Sequence, residues 1–436
     1  MNLKNLPLVP SGLSQPGGAC DDNVPCRSRR INLSLLSSRT LIQLPLAILG
    51  LLALAAHADE LDTLQFQASE NVQHDSNVFR LSDSADAQAL IGTPTRSDTI
   101  AVTTVGLKLN KPYSLQRFEL DAEFQNYRYS RNTRLNFNAV NYAAAWRWSL
   151  TPRFHGNVTA DRRQYVDNTS DAQIKGDVNR RTDLRTLADA EYEIGARWRA
   201  LGGVFENKIK NSSPFTLIPD TSIRGSEVGA RYIFREADSV AYRYRVGKGN
   251  YSNQSASNLP QFATSFNDRE HEFRVNWAPS GRVDVQGRLS HLSRSNSGAA
   301  GRDFSGYVGD VNANWAITGK TSLAGGVIKD LNSFQTNDIS YYDGYRVYVA
   351  PTYKPTEKTA VRVRYDQGTR NYKGSPQGLA PSGRKDNIRL VSVGFEYAPI
   401  RALTLAASLQ RDQRTSNTFG ADYKNNSLFL SALFKF

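Results

Sequence analysis

Strict alternation of apolar and charged side chains, repeated along most of its length, constrains this 436-residue chain more than any other feature. From Arg117 to Phe124 one set is Phe118, Leu120, Ala122 and Phe124, and the other is Arg117, Glu119, Asp121 and Glu123. Residues two apart share a strand face, so one side of this segment is apolar and the other ionic. The pattern returns as Tyr192, Ile194, Ala196 and Trp198 against Glu191, Glu193, Arg197 and Arg199. It recurs as Tyr242, Tyr244 and Val246 against Arg243 and Arg245, and as Phe273, Val275 and Trp277 against Glu272, Arg274 and Asn276. Val361, Val363 and Tyr365 against Arg362, Arg364 and Asp366 repeat it once more. One such strand would suit a sheet with a wet face. Many in succession, rich in Trp and Tyr, predict strands that cross a membrane around an aqueous interior. Backbone in hydrocarbon must be hydrogen-bonded internally, and a closed sheet is the β-structure with no open edge.

Turn signals set the strand count. Short ones fall at 111–114, 150–153, 200–203, 235–238, 278–281, 317–320, 354–357 and 398–401. The connections on the other side are longer and polar: 80–96, 128–134, 164–181, 207–222, 248–265, 293–303, 331–341, 367–386 and 411–422. Eight short turns join sixteen strands, Leu61 to Gln73 adds one before them, and Tyr423 to Phe436 adds one after. The expected fold is all-β, an antiparallel transmembrane barrel of about 18 strands with 16 as the alternative, and both termini on the periplasmic side. Trp146, Trp148, Trp277, Trp315, Tyr353 and Tyr397 adjoin the short turns and predict an aromatic girdle there.

The two ends of the chain agree with this destination. Leu44 to Ala56 is apolar apart from Pro45, follows Arg27, Arg29, Arg30 and Arg39, and leads into Ala56-His57-Ala58. This reads as a secretory signal cleaved after Ala58, so residues 1–58 are an extended leader and 59–436 the barrel. The leader is long for a signal, and translation starting near Leu33 would give it an ordinary length. At the other end Leu428, Leu430, Ala432, Phe434 and Phe436 share a face. An aromatic terminal strand of this kind resembles that of outer-membrane barrels, in which it is read by the assembly machinery; Phe434 and Phe436 are the candidate signal.

Composition removes several function classes. Cys20 and Cys26 both lie in the leader, so thiolate metal sites, disulfides and thiol nucleophiles are not expected in the barrel. His74, His155, His271 and His291 are scattered and form no Ser/His/acid or metal-ligand pattern, so neither an enzyme nor a cofactor is expected. The net charge of +13 would suggest nucleic acid in a cytoplasmic protein, but a secretion signal argues against that partner.

By parity the face opposite the lipid row carries Arg117, Arg197, Arg243, Arg245, Arg274, Arg346, Arg362 and Arg364, together with Glu119, Asp121, Glu123, Glu191, Glu193 and Glu272. Guanidinium groups in a watery channel would favour anionic solutes. The plainer alternative is that Arg and Glu pair across strands and keep the lumen wet. Tyr348 is a candidate stacking surface for sugar, and residues 367–386 are the candidate for an infolded loop that narrows the lumen.

The segment Asp62 to Leu81 opens with Asp62-Thr63 and closes with His74-Asp-Ser-Asn-Val-Phe-Arg80. It resembles the opening of the EpsL family of outer-membrane proteins from bacterial exopolysaccharide operons, which is similar to a broader group of β-barrel porins. The likeness extends over residues 60–436 by layout, with motif character only at the opening and the aromatic end. It implies a Gram-negative outer-membrane barrel that takes part in exopolysaccharide biosynthesis and export, as a channel or a component of an export complex. Its implied partners are outer-membrane lipid, the barrel-assembly machinery, exopolysaccharide and periplasmic export components. The alternative is a general or anion-selective porin for small solutes. Within the motif, Asp75-Ser-Asn77 reads as an Asx turn in preference to a cation site.

Overall fold

Each alternating segment becomes a strand of one sheet. The computed structural model describes residues 63–167, 178–212, 219–235, 238–252, 263–336, 338–375 and 383–436. The leader and its cleavage point lie outside the described residues. The first nine strands are β1 (Leu64–Asp75), β2 (Asp98–Tyr113), β3 (Gln116–Tyr129), β4 (Phe137–Thr151), β5 (Phe154–Asp167), β6 (Asn179–Ile194), β7 (Trp198–Asn211), β8 (Thr221–Arg235) and β9 (Asp238–Tyr251). The rest are β10 (Ser265–Ser280), β11 (Val283–Asn296), β12 (Phe304–Ala316), β13 (Thr321–Ser333), β14 (Tyr341–Thr356), β15 (Thr359–Lys373), β16 (Lys385–Ile400), β17 (Leu403–Ser416) and β18 (Tyr423–Lys435). Every strand is antiparallel to the next, and β1 pairs with both β2 and β18, so the 18-stranded sheet closes on itself. The seam runs from Gln67 opposite Lys435 to Asp75 opposite Ser427. Phe66 and Phe436 exchange backbone hydrogen bonds of 2.7 and 2.9 Å at its end, and their rings stack at 6.4 Å.

The sheet is apolar on its outside. Val105, Phe124, Val204, Val228, Phe273, Leu289, Val311, Val393 and Leu430 are among its exposed residues, and the charged partners in the alternation point inward. A water-soluble barrel would reverse this arrangement; here the exposed apolar band is the surface that lipid covers. At its lower edge Trp146, Trp198, Trp277, Trp315, Tyr353 and Tyr397 are each 40% or more exposed, and Phe118 stacks on Trp146 at 6.2 Å. Five of these belong to the girdle that the turn-adjacent aromatics predict; Trp198 joins them, while Trp148 is half-buried, edge-on to Phe154 at 5.2 Å.

Two local expectations are corrected. The turn expected at 200–203 lies instead at Gly195-Ala196-Arg197, between β6 and β7, with Gly195 in the left-handed region at φ +68°. Consecutive glycines read as a turn, yet Gly203 sits mid-strand, where an added Cβ would meet the Ala188 carbonyl at 3.0 Å; the close neighbour, not a reversal of the chain, needs the glycine. Ala196 and Arg197 consequently leave the strand faces assigned to them. The strands also run further into the polar connections than expected, β5 to Asp167 and β15 to Lys373. Ladder hydrogen bonds continue above the membrane, where the apolar row is no longer required.

Candidate functional site in the barrel lumen

Alternation puts the ionic residues of neighbouring strands on one inner surface, about 5 Å apart, so each carboxylate can reach two guanidinium groups. On β6 to β8, Glu191 lies 2.8 Å from Arg231 and 3.7 Å from Arg199. Glu227 on β8 receives Arg243 and Arg245 of β9, the latter at 2.9 Å, and Arg245 extends 3.1 Å to Glu270 on β10. Arg274 holds Glu272, and Arg288 on β11 bridges Glu270 at 3.7 Å, Glu272 at 3.8 Å and Asp310 of β12 at 3.0 Å. Glu227 and Glu272 are buried, which a carboxylate tolerates only with partners of this kind. Above this row a cavity of about 290 Å³ is lined by Phe205, Ile223, Leu292 and Val308 together with Arg245, Glu270 and Arg294. Arg245 lies over the Phe205 ring at 4.5 Å, and Arg294 lies over Phe266 at 3.8 Å while Asp268 grips it at 2.7 Å.

The extracellular end of the lumen is built differently. The connection between β1 and β2 turns inward, and Val78 and Phe79 bury against Ile100, Tyr129, Phe137, Ala139 and Val178 of the inner wall. Asp75 Oδ1 accepts from the Asn77 amide at 2.9 Å, which makes the Asx turn expected of this motif. Asn77 Oδ1 accepts in turn from the Leu81 amide, and Asn77 Nδ2 donates to the Lys424 carbonyl. A short helix, α1 (Ala87–Ile91), capped by the Asp86 side chain, completes the inward loop and buries Ala87 and Ile91.

Arg80 anchors this loop. It is fully buried, has φ +51°, donates two 3.0 Å bonds to Asp75, and lies 3.5 Å from Asp412 on β17. Burial alone would lower its pKa, but the two carboxylates outweigh that and hold it above the ordinary arginine value. Asn425 on β18 donates to Asp412 at 3.0 Å and accepts from the Asn77 amide at 3.0 Å. A second buried loop cation, Arg302, donates to the Thr336 and Ile339 carbonyls, and burial pulls its pKa down to about 10.

Toward the periplasm the wall opens. Lys108 pairs with Asp121 at 2.9 Å and Arg147 with Glu119 at 2.8 Å, and both cations are about half exposed.

Six of the eight predicted lumen arginines sit on the inner wall with a carboxylate beside them. Arg117 is 3.8 Å from Glu119, Arg362 is 2.9 Å from Glu396 and Arg364 is 2.6 Å from Asp366, while Arg243, Arg245 and Arg274 are in the ladder above. Arg346 on β14 faces inward one diagonal step from Asp330. Arg197 departs from the expectation: it lies in the β6–β7 turn and donates to the Tyr232 hydroxyl at 3.0 Å. Tyr348 has Arg364 over its ring at 4.4 Å, so one of its faces is already covered. Of the segment 367–386 proposed for narrowing, 367–373 belong to β15 and 385–386 to β16, and 376–382 lie outside the described residues. The inward segment that sequence reasoning missed is 76–97, whose signal was the apolar residues Val78, Phe79, Leu90 and Ile91 in and beside the connection 80–96. Among the described residues no group of three or more His, Cys, Asp and Glu could hold a metal ion.

A protein family described as "Putative beta-barrel porin 2" matches residues 267–436, the part of the chain from β10 to β18. The closed 18-stranded antiparallel barrel, apolar outside and ionic inside, has the architecture of a porin. Solved structures similar to the chain include the outer membrane protein OpdK of Pseudomonas aeruginosa, at 13% identity and a TM-score of 0.47, with 86% of this chain and 99% of that chain covered. OpdQ of P. aeruginosa matches at 10% and 0.46 (85% and 97% covered), and OccAB3 of Acinetobacter baumannii at 10% and 0.44 (86% and 99%). No curated protein matches the chain.

Proposed function

We propose that the barrel is a passive channel for small polar solutes with little preference for the sign of their charge. The observation that carries this reading is the pairing of the lumen arginines with carboxylates. A guanidinium shared with Glu227 or Glu270 offers a passing anion far less net attraction than a free one, and each carboxylate offers a cation the same compromise. The match to a porin family over β10 to β18 supports a channel in general terms. Arg243, Arg245, Arg274, Arg362 and Arg364 would line the path as halves of dipolar pairs rather than as an anion track, and Phe434 and Phe436 would serve assembly. The test is the reversal potential of purified protein in planar bilayers under a salt gradient. The expected result is steady conductance with a value near zero, and a shift toward anion preference in Glu227→Gln/Glu270→Gln. Strong selectivity in the parent protein would refute the proposal.

Exopolysaccharide export is the second reading. It has the support of the resemblance to EpsL, and the segment that closes the resembling stretch Asp62–Leu81, His74 to Arg80, contributes Val78, Phe79 and Arg80 to the narrowed mouth. A channel closed to small ions that conducts or releases acidic glycan would establish this reading in place of the first.

A further inference from the structure

Strands β7 to β10 carry on their outer face, just above the apolar band, a group of cations that the lumen does not use. On β7 the exposed Val204 is followed outward by Glu206, Lys208 and Lys210; on β8 Val228 is preceded by Arg224; on β9 Val246 is followed by Lys248; and on β10 Phe273 is preceded by Arg269. Register sets them side by side. Glu206 is opposite Arg224, Arg224 is opposite Lys248, and Arg269 is opposite Val246, one diagonal step from Lys248.

Five cations here share one carboxylate. Glu206 binds Lys208 at 2.7 Å and also Arg224. Among the described residues no carboxylate lies within ion-pair distance of Lys210, Lys248 or Arg269. Like charges directly opposite on adjacent strands repel, and Arg224 and Lys248 are such a pair. At the same height on β13 to β15, by contrast, Lys329 and Lys373 flank Asp343 at 3.6 and 3.0 Å. The β7–β10 group points away from the lumen on the side of the long loops, where long basic side chains lay their stems on the apolar band and reach into the headgroups of the outer leaflet.

We propose that this patch binds the phosphorylated headgroup of an outer-leaflet glycolipid, one phosphate bridging Arg224 and Lys248, with Lys208, Lys210 and Arg269 around it. A lipid is favoured over a free anion because the cations rise directly from the band that acyl chains cover, so one molecule can satisfy both surfaces.

Native mass spectrometry of the full chain in detergent tests this, with diphosphorylated lipid A, the same lipid stripped of phosphate, and inorganic phosphate as probes. The parent protein is expected to retain diphosphorylated lipid A, to release it as salt is raised, and to lose at least about tenfold in affinity in Arg224→Gln/Lys248→Gln/Arg269→Gln. Lys329→Gln/Lys373→Gln is expected to bind as the parent does, and single-channel conductance of the triple variant should be unchanged, which confirms its fold. Equal retention of the phosphate-free lipid, or unchanged binding by the triple variant, would overturn the proposal. So would full displacement of lipid A by millimolar inorganic phosphate, which would mark a free-anion site. If the triple variant does not fold, salt-insensitive retention by the parent protein would overturn it equally.

Discussion

Arg80 and Arg147 each grip a carboxylate on the same inner wall, yet the Arg80 side chain has no exposed surface and that of Arg147 is 51% exposed. The difference arises from what lies over them. Over Arg80 the first loop brings Val78 and Phe79 and excludes water; over Arg147 lies the open periplasmic half of the lumen. The same chemistry therefore does two jobs. At the mouth an ion pair fixes a loop, and lower down it keeps a wet wall near neutrality. Exposed pairs contribute little to stability, whereas breaking a buried pair strands a charge.

Substitutions at the two ends can break or sharpen this contrast. Arg80→Ala leaves Asp75 and Asp412 buried without their cation and is expected to cost about 3–5 kcal/mol in urea unfolding of the folded barrel. It should also raise single-channel conductance as the loop comes free, and a loss under about 1 kcal/mol would make the two ends equivalent after all. Phe79→Ala, at a side chain only 1% exposed, should cost about 3 kcal/mol and loosen the same loop, seen as faster proteolysis between β1 and β2. Deleting Phe436 removes a half-buried stacked ring worth about 1 kcal/mol, so equilibrium stability should fall slightly. Its larger effect should be on the yield of assembled barrel, and normal yield would remove the terminal ring from the assembly signal. Glu119→Gln should change stability by less than about 1 kcal/mol, and that small effect should fade as salt is raised.

The strands and their faces were legible because a two-residue period is a local property: Phe118 and Glu119 announce their opposite sides to any reader of the sequence. Strand number followed from turns, and even the misplaced 200–203 turn left the count at 18, since Gly195 turns the chain within a few residues of it. The lumen arginines were placed by parity, with Arg197 lost to that turn. What the sequence did not disclose is how charge is shared. Glu227 and Arg245 are ordinary strand residues until β8 and β9 are set in register. Infolding of the first loop was hidden for a similar reason, because Asp412 and Asn425, which hold it, lie at the other end of the chain.

The first loop is clasped by residues of β17 and β18, the strands that close the barrel against β1. Its place inside the mouth therefore cannot be taken until the carboxy-terminal strands have arrived. A barrel still without β17 leaves Arg80 paired with Asp75 but short of its second carboxylate, Asp412. The contact that narrows the pathway thus also records, at the molecule's far end from Phe436, that the barrel has closed.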